Sequence, residues 1–153
     1  FYSSEIYKEI IAYENYKNEF EIYSKEEDYY LYGIIDKLII NNDKIIIVDY
    51  KTDEINENNL STKLQHYLTQ LMFYAFLTNK LFQPQKIEIK LIFVKEPEKS
   101  ISQIIERNSI LEFKQKINEI VNNIRQNKFP PNTNHCSECH FADENNRCVF
   151  PLL

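Results

Sequence analysis

The stretch YGIIDKLIINNDKIIIVDYKT, residues 32–52, carries two β-branched runs on either side of the polar cluster Asn41 to Lys44. Such runs, broken by Asn and Asp, read as a strand, a tight turn and a second strand. A two-residue turn at Asn42 and Asp43 and a four-residue loop from Asn41 to Lys44 give the same alignment. Ile40 then faces Ile45, Leu38 faces Ile47, and Asp36 faces Asp49. Alternation puts Ile34, Asp36, Leu38 and Ile40 on one face with Ile45, Ile47, Asp49 and Lys51. That face is apolar near the turn and charged at its far end.

Like charges directly across a strand pair are destabilising, by a few tenths to about 1 kcal/mol, so a cation belongs between Asp36 and Asp49. Lys51, two residues beyond Asp49 and diagonal to Asp36, supplies part of that charge. An oxygen-preferring divalent ion, Mg²⁺ or Mn²⁺, fits the remainder, because such ions take one or two carboxylates and keep positions open for water and phosphate. An ordinary surface ion cluster, or a bulge that breaks the register, is the other reading of the same residues.

The 153 residues, 43% hydrophobic and 14% aromatic, suffice to bury a core, and a single domain over 1–153 is expected. The one glycine is Gly33, inside the first strand of the hairpin. A lone strand glycine often marks a bulge or a close approach by backbone or ligand. The chain opens on Phe1, which suggests a piece of a larger protein. No apolar run reaches the roughly 18 to 20 residues of a membrane span, and no signal-peptide pattern opens the chain. A cytoplasmic setting without a membrane partner is expected. The net charge of -5 weighs against nucleic acid, although a carboxylate metal site is itself acidic and basic surface can lie on another domain.

Ser3 and Ser4 offer N-caps for a helix through about Tyr13. Alternation from Tyr16 to Ser24 reads as a half-exposed strand, and Lys25 to Asp28 as a charged turn into the hairpin, which completes a three-strand antiparallel meander. Leu60 to Leu81 is the strongest helix. On it Tyr67, Gln70 and Tyr74 share a face at i, i+3 and i+7, with Lys63 and His66 nearby; such a set is more often packing than a site. Ile87 to Val94 reads as a fourth strand and Ile101 to Ile105 as a fifth. Ser109 opens an amphipathic helix that Pro130 and Pro131 stop. The core is thus about residues 3–95, followed by a helix and a cysteine-rich tail over about 109–153.

All three cysteines, Cys136, Cys139 and Cys148, fall in that tail. Their spacing in a cytosolic chain suggests a metal site before a disulfide: zinc, with His140 or His135 as fourth ligand. Three free thiols are the other reading.

Gly33-Ile34-Ile35-Asp36 on the second strand, Asp49-Tyr50-Lys51-Thr52 on the third, and Tyr67, Gln70 and Tyr74 on the next helix resemble the PD-(D/E)XK nuclease superfamily. The likeness is greatest to the RecB-like exonuclease branch, which includes helicase–nuclease subunits and CRISPR adaptation nucleases. The resemblance implies an α/β (α+β) restriction-endonuclease-like core. It implies Mg²⁺ or Mn²⁺ held by Asp36, Asp49 and the Tyr50 carbonyl, with Lys51 orienting the attacking water and Gln70, Tyr67 and Tyr74 positioning the nucleic-acid backbone. A further ligand often precedes the meander; Glu19 is the candidate, with Glu9 and Glu5 as competitors. Some RecB-like nucleases carry an iron–sulfur cluster, which would make Cys136, Cys139 and Cys148 three ligands of a 4Fe-4S cluster whose fourth ligand lies outside this chain. The expected function is a metal-dependent DNA exonuclease module in repair, recombination or defence, joined to helicase or other domains. A catalytically silent module that binds nucleic acid or protein is the alternative.

Overall fold

In the computed structural model, which describes residues 1–53, 60–129, 139–143 and 145, Ser4 opens the first helix. Its side chain accepts the Tyr7 N–H at 3.4 Å and donates to the Phe1 carbonyl at 2.6 Å, which supplies one of the partners a helix start lacks. Helix α1 (Glu5–Ile11) is followed by strands β1 (Tyr16–Lys25), β2 (Tyr30–Asn41) and β3 (Lys44–Lys51), helix α2 (Leu60–Phe82), strands β4 (Lys86–Phe93) and β5 (Ile101–Ile105), and helix α3 (Arg107–Arg125). The expected elements are all present. A 3₁₀ turn at Pro97–Lys99, which the sequence reading did not anticipate, joins β4 to β5. Helix α3 starts two residues earlier than the reading placed it.

The five strands lie in sequence order, with β3 and β4 parallel and the other neighbours antiparallel. A parallel pair needs a crossover, and α2 provides it. Strands covered on both faces read as continuous apolar runs rather than alternating ones. Accordingly Ile45 to Val48 is apolar and buried throughout; Ile87 to Phe93 is buried too, although it alternates with Glu88 and Lys90, which pair with each other. Helix α1 covers one face, where Ile10 packs with Ile39, Ile46, Val48 and Ile92, edged by Phe1, Ile6, Tyr13 and Tyr50. Helix α2 lies against β1 to β4 on the other face and buries Leu71, Ala75 and Leu77.

The hairpin turns at Asn42, in the left-handed region with φ 52°, which Asn tolerates better than most residues. The Asp43 carbonyl accepts the N–H groups of Gln85 and Lys86 at 2.9 and 3.2 Å, so the hairpin tip is tied to the start of β4. Two compact units divide the chain, residues 1–116 and 117–153, and the sheet belongs to the first. No helix among the described residues is long and apolar enough to cross a membrane.

Candidate active site

The register across the hairpin is the expected one, with Leu38 opposite Ile47 and Ile40 opposite Ile45, but the ladder stops at Lys37 and Val48. Asp36 and Asp49 are the next residues along, at the point where pairing ends. Beyond it, β3 stays paired with β4 through Asp49, Tyr50 and Lys51, and β2 stays paired with β1. The two middle strands part at the carboxylates. There the Tyr50 N–H donates to Asp36 Oδ2 at 2.8 Å, so a side chain takes the place of a ladder partner.

A second irregularity coincides with the first. The β1–β2 register is continuous except at Glu19, opposite Asp36, where Glu19 has φ 46°. That conformation costs roughly 1–2 kcal/mol for an ordinary L-residue. Gly33 faces α2, since a Cβ there would meet the Tyr74 ring, and Ile35 follows it by alternation. Leu38 also belongs to the α2 face, because its partner Ile47 alternates with Asp49 and Lys51, and Lys51 reaches Gln70 of α2. Two residues three apart thus share a face, and the alternation slips by one beside Asp36. Ile34, expected on the face of Leu38 and Asp49, lies on the opposite face and is 43% exposed.

Asp49 is 2% exposed. Lys51 Nζ stands 2.7 Å from its Oδ2, so this buried oxygen is ion-paired. Burial pushes the Asp49 carboxyl above its usual range, the Lys51 ammonium opposes that, and the charge of Asp36 adds to it. Burial and Asp36 likewise raise the Tyr50 hydroxyl.

The expected face of α2 meets this strand end. Lys51 Nζ donates to Gln70 Oε1 at 3.0 Å, and Gln70 Nε2 donates to the Tyr74 hydroxyl at 2.9 Å. The Tyr67 ring lies over the ammonium with its centroid 4.7 Å from Nζ. The structure therefore gathers Asp36, Asp49, Lys51, Gln70, Tyr67 and Tyr74. It adds Asp53, which the sequence reading passed over: Asp53 Oδ2 accepts the Tyr67 hydroxyl. The signal was available, since Asp53 continues the alternation of Asp49 and Lys51. His66 is exposed.

Of the candidates for a further ligand, Glu5 pairs with Lys8 at 2.6 Å and Glu9 with Lys90 at 3.0 Å, while Glu19 is exposed in β1 opposite Asp36. Among the described residues no group of three or more His, Cys, Asp or Glu side chains is placed to hold a metal ion. The fit is to a pair. Two carboxylates, one of them buried, form a hard oxygen donor set of the kind that suits Mg²⁺ or Mn²⁺ with water and phosphate completing the shell.

In the tail, Cys139 Sγ accepts the Phe141 N–H at 3.4 Å and the Cys139 carbonyl accepts the Ala142 N–H at 3.1 Å. Cys139 is not in a disulfide, and His140 is exposed. Cys136, Cys148 and His135 lie outside the described residues.

The family model of the PD-(D/E)XK nuclease superfamily matches residues 3–144. An ATP-dependent helicase/nuclease subunit of Clostridioides difficile (strain 630) is 36% identical over 76 residues, 48% of this chain and 6% of that protein. Its namesake in Clostridium acetobutylicum is 37% identical over 49 residues, 32% of this chain and 4% of that protein. That of Streptococcus thermophilus (strain ATCC BAA-491 / LMD-9) is 32% identical over 72 residues, 46% and 6%. The chain spans about 6% of the length of the first of these relatives. Among solved structures, the crystal structure of SSO0001 aligns with a TM-score of 0.49 and 18% identity, covering 82% of this chain and 57% of that one.

Proposed function

We propose, from the premise that the chain belongs to the PD-(D/E)XK nuclease superfamily, that its acidic strand end hydrolyses phosphodiester bonds of DNA with Mg²⁺ or Mn²⁺. Asp36 and Asp49, with the Tyr50 carbonyl, would hold the ion, and Glu19 is the candidate further ligand. When bound, the ion supplies an activated water and a clamp for the scissile phosphate. Lys51 offsets the charge that develops on the phosphorane oxygens. Its ammonium is aimed by Asp49 and Gln70, and Tyr74 holds the Gln70 amide. Tyr67 borders the path of the nucleic-acid backbone, whereas Tyr74, expected beside it, is buried in the core and acts only through Gln70.

The observation that carries this reading is the end of the β2–β3 ladder, where Asp36, the buried Asp49 and Lys51 come together. Similarity to ATP-dependent helicase/nuclease subunits supports an exonuclease module of a larger, cytoplasmic, RecB-like DNA-processing protein that also carries helicase domains. In the tail, Cys136, Cys139 and Cys148, with His140 as an alternative ligand, are assigned a structural metal, a 4Fe-4S cluster or zinc.

The test is cleavage of labelled linear single- and double-stranded DNA with Mg²⁺ or Mn²⁺, beside circular DNA and RNA. Wild type is expected to degrade linear DNA, and EDTA and Lys51→Ala each to abolish degradation. Cleavage that survives Lys51→Ala would move the chemistry elsewhere; cleavage of circular DNA would make it an endonuclease.

A further inference from the structure

Asp53 follows Lys51 by two residues, just past the end of β3. Its Oδ2 accepts the Tyr67 hydroxyl, and Lys63 Nζ stands 3.8 Å from the same oxygen. Lys63 and Tyr67 are one turn apart on α2, so Asp53 fastens the strand end to the first turns of the helix. The Tyr67 ring it tethers is the one that lies over Lys51.

We propose that Asp53 is a positioning residue for the Lys51 ammonium, acting through the Tyr67 hydroxyl; this rests on the reading of Lys51 as the catalytic cation. A lysine ammonium sits on a flexible four-carbon stem and goes where its neighbours hold it. Three neighbours surround Nζ: the Asp49 carboxylate, the Gln70 amide oxygen and the Tyr67 ring face. Asp49 is fixed by burial in the sheet, and Gln70 is fixed by Tyr74. The Tyr67 ring has a tilted contact with Phe93, centroids 6.4 Å apart, and its centroid stands 4.7 Å from the ammonium. The hydroxyl bond to Asp53 sets that distance, and a carboxylate acceptor makes the bond charge-assisted. Asp53 therefore acts on the cation without touching it.

The experiment measures kcat and KM of the intact protein on labelled linear DNA for wild type, Asp53→Ala, Tyr67→Phe, the double variant, and Lys51→Ala as reference. Misplacing a catalytic group by about 1 Å costs on the order of a hundredfold, so loss of one of three restraints should lower kcat about tenfold. KM should stay within about twofold, with thermal midpoints near wild type. The double variant should be no worse than either single, because both remove one bond.

A second readout is the ring-current shift of the Lys51 ε-methylene resonance in metal-free protein. It is expected in wild type and lost in Asp53→Ala and Tyr67→Leu. Wild-type kcat and an unmoved resonance in Asp53→Ala, with Lys51→Ala inactive, would overturn the proposal while leaving the active-site reading intact. Multiplying losses in the double variant would overturn the route through Tyr67. If Lys51→Ala retains activity, the active-site reading fails, and the resonance alone decides whether Asp53 places the ammonium.

Discussion

A Cβ placed on Gly33 would lie 2.8 Å from Cε1 and 3.2 Å from Cδ1 of Tyr74, so the bare backbone of the glycine is what lets that ring seat against β2. Tyr74 in turn holds the Gln70 amide that holds Lys51. Packing at one strand position is thereby linked to a cation on another.

Gly33→Ala should force the Tyr74 ring outward, at about 1–3 kcal/mol, the usual cost of overpacking. Urea unfolding would measure that loss. Cleavage should fall further than the stability change explains, and Tyr74→Leu in the same chain should recover stability but not activity. A Gly33→Ala variant with wild-type stability would show that the ring has room to move.

Asp36→Asn keeps an acceptor for the Tyr50 N–H but removes a like charge from beside Asp49. Metal-free protein should therefore be as stable as wild type or slightly more so. Added Mn²⁺ should stabilise wild type, by about 2.7 kcal/mol at one hundred times Kd, and leave Asp36→Asn unchanged. Thermal shift with and without Mn²⁺ reads both. If Mn²⁺ stabilises neither protein, the carboxylate pair is not its site.

Glu88 is buried on β4. Burial alone would raise its carboxyl, but hydrogen bonds from Lys44, Ser102 and Lys90 more than offset this and bring it down from 4.5 to about 2. A folded value below the unfolded one means the stabilisation is complete above pH 4.5 and lost as pH falls toward 2. The amount is on the order of 3 kcal/mol. Denaturation at pH 6, 4 and 3 should show that decline. Glu88→Gln should be the weaker protein at pH 6 and should approach wild type at pH 3.

Protein purified without oxygen should carry iron or zinc in the cysteine tail, and Cys139→Ala should reduce the content. Iron with visible absorbance supports the cluster, colourless zinc the tetrahedral site. Metal content below about a tenth of the protein would leave three thiols.

What could be read from the sequence was short in range. Alternation and the Asn42 turn yield the hairpin register, and helical spacing puts Tyr67, Gln70 and Tyr74 on one face, because both depend only on backbone period. Ile87 to Val94 reads as a strand by the same logic.

The tertiary structure alone decided where those periods fail and which elements meet. The ladder ends at Lys37 and Val48, and the alternation slips beside Asp36, because β2 follows β1 while β3 follows β4. No local pattern encodes that divergence. Burial of Asp49, the reach of Gln70 from α2 to Lys51, the hold of Asp53 on Tyr67 and the pairing of Glu9 with Lys90 join residues far apart or across a strand end. A sequence lists the groups and their phase along one element; only packing two faces of one sheet between helices sets which charge lies next to which.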